Sequence, residues 1–485
     1  KADPYDIVTL LIGIGADKIL QEDIFLRTNP LNKRSLLDNA LFLTDKNYCY
    51  GNWIFGASLF YDQTTRMYYS RNSSKIACYL DLTKQTLMDL IREKEDIIKG
   101  LFPDFEFDKI VRGVSVIKCA ATQERRAGIF FNFMGELKRI NFKFQLPFYY
   151  LERNFFLTER ERKAIENEFG KSDPKEAFKF ARRHLISDRI GFGDLRFSFD
   201  FPVSSCRREM SIRAGMFGTI PTAFAFKKGL YGREFKPITC RPKISFEQLF
   251  ELAANGKGDE AFEIAQDFFL KALDGLSSML INTDLGNERH FGLGGLLDIQ
   301  VPLCYMLKRY WAEKTYIKNR ISLEYLFPAR ECRWFIEKYD PSIFDRDYDD
   351  EFKAKENLAF LERMFVDKFF PYVYETKVSP GFVFWWVSKL AYETERWGLD
   401  LGWDVWVRTR EKFSDICAPA NQLCLLDVEK SRRPWAYQWN ILGSLFFKVK
   451  RCESDLYISL NGEKTISSRG IGKPFKVTLG FERNF

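Results

Sequence analysis

The sequence predicts an all-β transmembrane antiparallel barrel of about twelve strands, with long and partly helical extracellular loops. Two observations support this prediction. Long segments alternate strictly between apolar and polar residues, and the connections between them alternate between tight turns and long inserts. The composition agrees, because aromatic residues make up 16% of the chain while charged residues still make up 29%. A membrane barrel exposes aromatics to lipid and keeps its charges in the lumen and loops.

Composition also argues against several other classes of protein. No window holds eighteen apolar residues in a row, so a helical membrane span is not predicted. Basic and acidic residues are interspersed despite a net charge of +8, which argues against a nucleic-acid partner. The ten Cys are scattered without a CxxC pair, and His184 and His290 are the two His. We therefore predict neither a metal site nor a cofactor.

The first three predicted strands include the clearest alternation in the chain. In residues 138–148, Ile140, Phe142 and Phe144 share one face, and Arg139 and Lys143 share the other. Because successive side chains of a strand point to opposite faces, one face is apolar and the other is wet or paired. Strands one to three are predicted at 53–62, 127–133 and 138–148.

The same two-faced pattern continues through the middle of the chain. Phe197 and Phe199 oppose Arg196 and Asp200, for example, in the fourth strand. Strands four to seven are predicted at 194–201, 210–216, 291–301 and 317–327.

Five more strands complete the set. The eighth is apolar on both faces at first, so its inward face is ambiguous, whereas the ninth alternates clearly, with Trp403 and Val405 against Asp400 and Asp404. An even number of strands is usual for a closed bacterial barrel. Strands eight to twelve are predicted at 382–393, 397–408, 435–449, 456–460 and 475–481.

The connections provide an independent test, since a barrel with both termini in the periplasm alternates short internal turns with long external loops. Tight turns are predicted near 135–136, 204–208, 394–395 and 451–454, and a short last external connection near 467–468. Long inserts are predicted at about 66–124, 151–187, 229–287, 330–379 and 411–431.

Several inserts carry helical patterns, and structureless loops of this length are unusual, so we expect a helical cap or constriction at the mouth. The helical patterns lie at 84–99, 158–169, 174–184, 246–280 and 351–368. Residues 1–47 lack a long alternating stretch and are interpreted as a periplasmic tail or an internal plug. Residues 48–485 form the predicted barrel with its inserts.

The last nine residues resemble the C-terminal targeting strand of Gram-negative outer-membrane barrels. Val477, Leu479, Phe481 and Phe485 match its alternating apolar pattern and its terminal aromatic, whereas Arg483 departs from the residue expected third from the end. The resemblance implies an integral protein of the bacterial outer membrane. Its expected partners are the lipid bilayer, lipopolysaccharide and, during insertion, the barrel-assembly machinery.

The predicted function is a porin-like channel for passive diffusion of small hydrophilic solutes, capped or constricted by helical loops. Cations slightly outnumber anions on the expected inner face, which predicts a mild anion preference. The predicted pore-lining residues are Arg139, Lys143, Asp194, Arg196, Asp200, Arg213, Asp298, Lys318, Arg320, Glu324, Lys389, Asp400, Asp404, Arg408, Lys448, Lys476 and Glu482.

Three alternatives remain open at this stage. The inner charges could pair and fill the barrel, leaving a structural protein or a surface-exposed interaction protein that binds a partner or a copy of itself. A hydrolase would need His184 or His290 to work with a Ser or an Asp, and a lone His at a barrel rim is more often structural. We therefore predict no enzymatic activity. A large soluble β protein would instead pack the apolar faces into a core.

Overall fold

The computed structural model describes most of residues 53–484. Residues 1–52, 65–120, 157–178, 205–209, 231–234, 239–240, 339–350, 451–454 and 485 are not described, nor are a few single positions between them. The tail or plug predicted at 1–47, the helices predicted at 84–99 and 158–169, and Phe485 of the targeting strand therefore lie outside the described residues.

The described chain contains seventeen strands, of which twelve close into an antiparallel barrel. The barrel strands are β1–β3, β5, β6, β8, β9, β12, β13 and β15–β17. In chain order the strands are β1 Trp53–Thr64, β2 Ala121–Leu137, β3 Ile140–Phe156, β4 Ile186–Phe192, β5 Leu195–Ser204, β6 Ser211–Ile220, β7 Phe224–Lys227, β8 Gly292–Pro302, β9 Thr315–Leu326, β10 Ala329–Phe335, β11 Tyr372–Ser379, β12 Gly381–Glu393, β13 Trp397–Arg408, β14 Lys412–Ile416, β15 Ala436–Lys450, β16 Asp455–Arg469 and β17 Pro474–Asn484.

Closure is made by β1, which pairs with β17 on one side and with β2 on the other. Leu59, for example, lies opposite Leu479 of β17 and Ile129 of β2. A closed sheet leaves no edge of unpaired backbone groups in lipid. One wall strand is interrupted at Gly193 and Asp194, so that β3 pairs with β4 near the mouth and with β5 nearer the turns. The predicted twelve-strand barrel is confirmed.

Several strand ends differ from the sequence prediction. The turn between β2 and β3 falls between Leu137 and Ile140 rather than at 135–136, and the last external turn follows Arg469 rather than lying at 467–468. The inserts predicted at 66–124 and 151–187 are shorter, because β2 begins at Ala121 and β3 continues to Phe156. Backbone pairing of β2 and β3 continues to Ala121 and Phe156, where polar residues interrupt the apolar alternation.

The two faces of the wall differ sharply in chemistry. The outward face is apolar, and the inward face carries buried polar side chains such as Asp404 and Lys318. This arrangement is the reverse of a soluble β protein and identifies an integral outer-membrane barrel. Exposed outward residues include Trp53, Phe55, Leu59, Phe131, Phe133, Phe144, Leu323, Phe384, Trp386, Leu390, Leu399, Leu401, Trp439, Ile441, Leu460, Leu479 and Phe481.

An external module lies at the end of the barrel opposite the short turns. It contains a three-stranded sheet in the order β10, β11, β14 and the helices α1 Phe246–Ala254, α2 Gly258–Leu280, α3 Glu351–Phe369, α4 Ala420–Leu423 and α5 Val428–Ser431. The single helix expected at 246–280 is divided near Gly256, whose φ of +72° favours glycine. The sheet was not predicted, because its short strands lack a regular alternation. Among the described residues, no helix is long and apolar enough to cross a membrane.

The module has its own hydrophobic core, which joins it to the barrel. Leu273, Leu276 and Leu280 of α2 pack with Phe370, which follows α3, and with Phe155 at the end of β3. Because the same core contains a barrel strand and two external helices, the module is anchored on the rim.

Candidate functional site: the barrel lumen and its mouth

The residues predicted to line a pore lie along the inner side of the wall, with two exceptions, Arg139 and Asp194. Arg139 is exposed in the turn between β2 and β3, where its φ is +74°. It was assigned to the inner face because the turn was expected three residues earlier. Asp194 lies at the interruption between β4 and β5, where its carboxylate accepts a hydrogen bond from the Ala223 N–H. The inward-facing members are Lys143, Arg196, Asp200, Arg213, Asp298, Lys318, Arg320, Glu324, Lys389, Asp400, Asp404, Arg408, Lys448, Lys476 and Glu482.

Ion pairs between neighbouring strands hold many of these side chains against the wall. Lys318 Nζ lies 2.7 Å from Glu393 Oε1, joining β9 to β12. Arg320 contacts Asp298 through two guanidinium nitrogens, joining β9 to β8. On the next two strands of the wall, Asp200 of β5 accepts a hydrogen bond from Arg213 of β6. Such pairs replace the water that the charges lose on burial.

Gly292 allows one polar contact to pass over an intervening strand. Glu324 of β9 reaches across β8 to accept a hydrogen bond of 2.9 Å from the Thr219 hydroxyl on β6. A Cβ atom at Gly292 would lie only 2.1 Å from Glu324 Oε1. The absence of a side chain at this position therefore keeps the inner wall open for the contact.

Five charged residues of the inner face are absent from the predicted pore-lining set. Asp62 lies on the polar face of the first predicted strand, and the other four continue the inward parity of a predicted strand beyond its assigned end. With Arg139 and Asp194 removed and these five added, the named groups of the described inner wall are eleven basic and nine acidic side chains. The slight excess of cations on which the expected mild anion preference was based is therefore kept. The missed residues are Asp62, Glu124, Arg126, Arg153 and Glu463.

Most inward charges are out of contact with bulk water. Asp404 exposes 1% of its surface and Lys318 exposes 3%. Eight strands make a lumen that side chains just fill, and about sixteen leave an aqueous channel, so twelve strands lie between these limits.

Two apolar patches also face inward, which the predicted hydrophilic lining did not include. The tryptophan patch consists of Leu326, Val383, Trp385, Val387, Trp406 and Leu442. The phenylalanine patch consists of Phe60, Phe130, Tyr149 and Leu151, and Leu285 of the connection before β8 packs against it. The ambiguous eighth strand is resolved in this way, because one of its two apolar faces lines the lumen.

A group of charged residues at the external end of the barrel, called the mouth cluster, joins four external segments. Its members are Glu288, His290, Glu331, Arg333, Arg408, Glu411 and Arg433. Arg433 Nη2 and Nη1 lie 2.6 and 2.8 Å from the two oxygens of Glu288, and Nη1 lies 3.4 Å from Glu411. Arg333 of β10 donates to Glu411 at 3.2 Å. The cluster thus connects the segment before β8, the external sheet and the segments flanking β13 and β15.

The electrostatic environment of the cluster differs among its carboxylates. Burial alone raises the pKa of Glu288, but Arg433 and Arg333 outweigh it and hold that pKa well below its ordinary value. Burial also raises the pKa of Glu411, but the arginines around it lower that pKa by a larger amount, so the net change is a decrease. Burial dominates at Glu331 and raises its pKa despite Arg333. Glu288 and Glu411 are therefore the anionic anchors of the cluster.

Glu288, His290 and Glu331 are close enough together to be considered as metal ligands. Their donors are already engaged, however. His290 Nδ1 donates to the Phe327 carbonyl at 2.8 Å, and Nε2 lies 2.7 Å from Glu331 Oε1. Arg433 forms an ion pair with the Glu288 carboxylate, and the positive charge of the guanidinium disfavours a metal cation at this place. The group fits a structural ion-pair network better than a metal site.

The other histidine lies in the external module. His184 Nδ1 is 2.6 Å from Asp274 of α2, and Ser277 donates to the main-chain carbonyl of His184 rather than to its ring. The three residues thus fasten the segment before β4 to α2. They do not have the arrangement in which a His ring activates a Ser hydroxyl.

Comparisons with known proteins give weak structural similarity alone. No family model matches the sequence, and no curated protein matches it. An outer-membrane channel from Pseudomonas putida F1 is 9% identical with a TM-score of 0.42, over 90% of this chain and 97% of that one. The toluene transporter TodX of Pseudomonas putida is 9% identical with a TM-score of 0.28, over 89% of this chain and 88% of that chain. The translocator domain of the autotransporter NalP from Neisseria meningitidis is 6% identical with a TM-score of 0.31, over 90% of this chain and 89% of that chain. These values are too low to assign a function.

Proposed function

We propose that the protein is an outer-membrane channel for small hydrophilic solutes whose mouth is closed by the external module. The observation that carries the proposal is the polar inner wall, which runs from Glu482 and Lys143 near the short turns to Arg408 at the mouth. Burying charges costs several kcal/mol per ion, roughly, even when they are paired. A barrel that served only as a support would be stabilised better by apolar side chains.

The closed state is supported by the contacts at the mouth. The mouth cluster joins segments that adjoin β8, β9, β13 and β15 on one side of the rim, and the core of the external module includes the end of β3. Opening requires that some of these contacts break, so the proposed channel is gated rather than permanently open. The slight excess of basic groups on the inner wall supports weak ion selectivity.

Current recordings on planar bilayers test the proposal. The wild-type protein is expected to open rarely, and the Arg433→Ala variant, which lacks the central cation of the mouth cluster, is expected to open more often. Arg410→Ala is the matched control, because its ion pair with Glu429 is exposed. Absence of conductance in all three proteins at several voltages contradicts the proposal. A strongly anion-selective reversal potential in a salt gradient contradicts the weak selectivity.

The solute class is tested separately, by swelling of protein-loaded liposomes. Vesicles that contain Arg433→Ala are expected to swell in an isotonic solution of a small sugar or amino acid. Swelling should slow as the solute grows larger. Channels that conduct ions but exclude every small hydrophilic solute would leave the gate intact and contradict the solute class.

A second candidate is a surface-interaction protein with a filled barrel. The external module favours it, because the module has a hydrophobic core and a sheet of its own, which is more structure than a simple lid requires. Leu423 and Leu425 are also exposed beside that sheet. Proteolytic removal of the module should abolish binding to the partner, and binding that survives removal would count against this candidate.

A further inference from the structure

The connection between β8 and β9 is the longest described connection at the end of the barrel that carries the short turns. It spans residues 303–314, because β8 ends at Pro302 and β9 begins at Thr315. Thr315 pairs with Tyr392, close to the turn that joins β12 to β13, which fixes the end of the barrel at which the connection lies. Short turns lie on the periplasmic side of outer-membrane barrels, so this connection meets the periplasmic leaflet.

The connection has a regular local structure. It contains two 3-10 turns, Leu303–Tyr305 and Tyr310–Lys314. Ala312 in the second turn is fully buried, and the Thr315 hydroxyl donates to the Trp311 carbonyl at 2.8 Å. Backbone hydrogen bonds and one buried residue therefore hold the connection against the end of the wall.

The large side chains of this connection are nevertheless exposed. Tyr310 exposes 74% of its surface and Met306 exposes 67%, compared with 59% for Leu401 on the lipid-facing wall. A contiguous run of exposed apolar and aromatic side chains marks an interaction surface. The exposed set is Tyr305, Met306, Leu307, Tyr310 and Trp311.

Contacts place the second turn of the connection on the lipid-facing side of the wall. Lys314 Nζ lies 4.9 Å from the centre of the Tyr310 ring. Lys314 also interacts electrostatically with Tyr392, which shares the outward parity of Leu390 on β12. The rings of Tyr392 and Trp397 lie 5.4 Å apart at the same end of the wall. The connection therefore continues the lipid-facing surface at the level where the strands end.

Basic residues accompany the exposed rings. Lys308 and Arg309 are exposed between the two turns, and Lys314 ends the second turn, whereas Glu313 is the one acidic residue in 303–314. Tyr and Trp favour the headgroup layer of a membrane, because each ring has an apolar body and a polar tip. Lys and Arg at that depth are attracted to lipid phosphates and to anionic lipids.

We propose that residues 303–314 form a binding site for anionic phospholipids of the periplasmic leaflet. Lys308 and Arg309 contact the headgroup phosphates, and the Tyr and Trp rings lie among the headgroups with Met306 directed towards the acyl chains. A soluble periplasmic protein is the other occupant that such a surface could take. Continuity with the lipid-facing wall and the amphipathic rings favour lipid, and the site operates whether or not the barrel conducts.

Photo-cross-linking in vesicles of equal parts phosphatidylglycerol and phosphatidylcholine tests the site. A benzophenone-bearing residue in place of Trp311 is expected to form lipid adducts, with phosphatidylglycerol several-fold over phosphatidylcholine in mass spectra. The matched control places the probe at Leu423, which is exposed in the external module, and no adduct above background is expected there. The probe at Met306 provides a second position if the first variant does not fold. Lipid adducts at 306 and 311 no more abundant than at 423 overturn the proposal, as do cross-links in isolated outer membranes to a protein alone.

The role of the charges is tested by the ratio of the two adducts. With the probe at 311, Lys308→Gln combined with Arg309→Gln is expected to lower the ratio of phosphatidylglycerol to phosphatidylcholine adducts at least two-fold, while the total yield is kept. Arg410→Gln combined with Lys412→Gln removes two exposed charges from an external connection, and it is expected to leave the ratio unchanged. A ratio near one in the otherwise unchanged protein, or a ratio that the 308 and 309 substitutions do not lower, refutes an anionic headgroup site.

Discussion

Arg433 is the member of the mouth cluster whose loss has the clearest expected cost. Its guanidinium is almost completely buried and contacts the carboxylates of Glu288 and Glu411. Replacement by Ala leaves the Glu411 carboxylate buried and the Glu288 carboxylate 23% exposed, with Arg333 as the remaining cation that contacts them both among the described residues. Removing one partner of a buried ion pair costs ~3–5 kcal/mol, because the other charge stays desolvated. We expect a loss of stability of this size in the external sheet.

Arg410→Ala provides the matched control, since Arg410 lies in the same connection and pairs with Glu429 in an exposed position. An exposed pair contributes ~0–1 kcal/mol. Hydrogen exchange of the β10, β11 and β14 backbone in reconstituted vesicles measures the difference locally, and urea unfolding measures it globally. If Arg433→Ala is no more destabilising than Arg410→Ala, the mouth cluster does not fasten the module and the gating argument fails.

The remaining predictions concern acid, packing and lipid. The folded-state pKa of Glu288 is lowered, so this carboxylate stabilises the folded protein fully above its unfolded pKa of about 4.3. That stabilisation is lost as pH falls through the folded-state pKa. Glu288→Gln should therefore reduce the pH dependence of stability, measured by hydrogen exchange from neutral to acidic pH. Gly292→Ala should destabilise the barrel by ~1–3 kcal/mol in urea unfolding, since the added methyl group overlaps a carboxylate. Gly462→Ala, which has open space around it, should be nearly neutral, and equal losses would contradict the packing argument. Leu401→Arg, on the outward face, should cost ~2–4 kcal/mol in vesicles if lipid touches this wall. Leu425→Arg in the external module should be nearly neutral, and a neutral Leu401→Arg would exclude lipid contact.

The sequence determined the barrel because the two faces of a membrane strand meet different solvents. Lipid requires an apolar residue at every second position, and this period of two is visible in segments such as 138–148 and 397–408 without knowledge of their neighbours. The same parity placed Lys318, Asp400 and Asp404 on the inner face. It failed at Arg139, because a hairpin can shift by a few residues without changing the pattern on either side.

Only the tertiary structure decided which charges meet and which apolar side chains face the lumen. Arg433, Glu288 and Arg333 belong to three connections far apart in the chain, and none of them has a local signal that links it to the others. The second apolar face of β12 was likewise ambiguous in sequence, because a buried patch inside a barrel and a lipid-facing patch outside it use the same residues. Period and composition report the solvent that each segment meets, whereas contacts between distant segments depend on how the wall closes and the external connections pack above it.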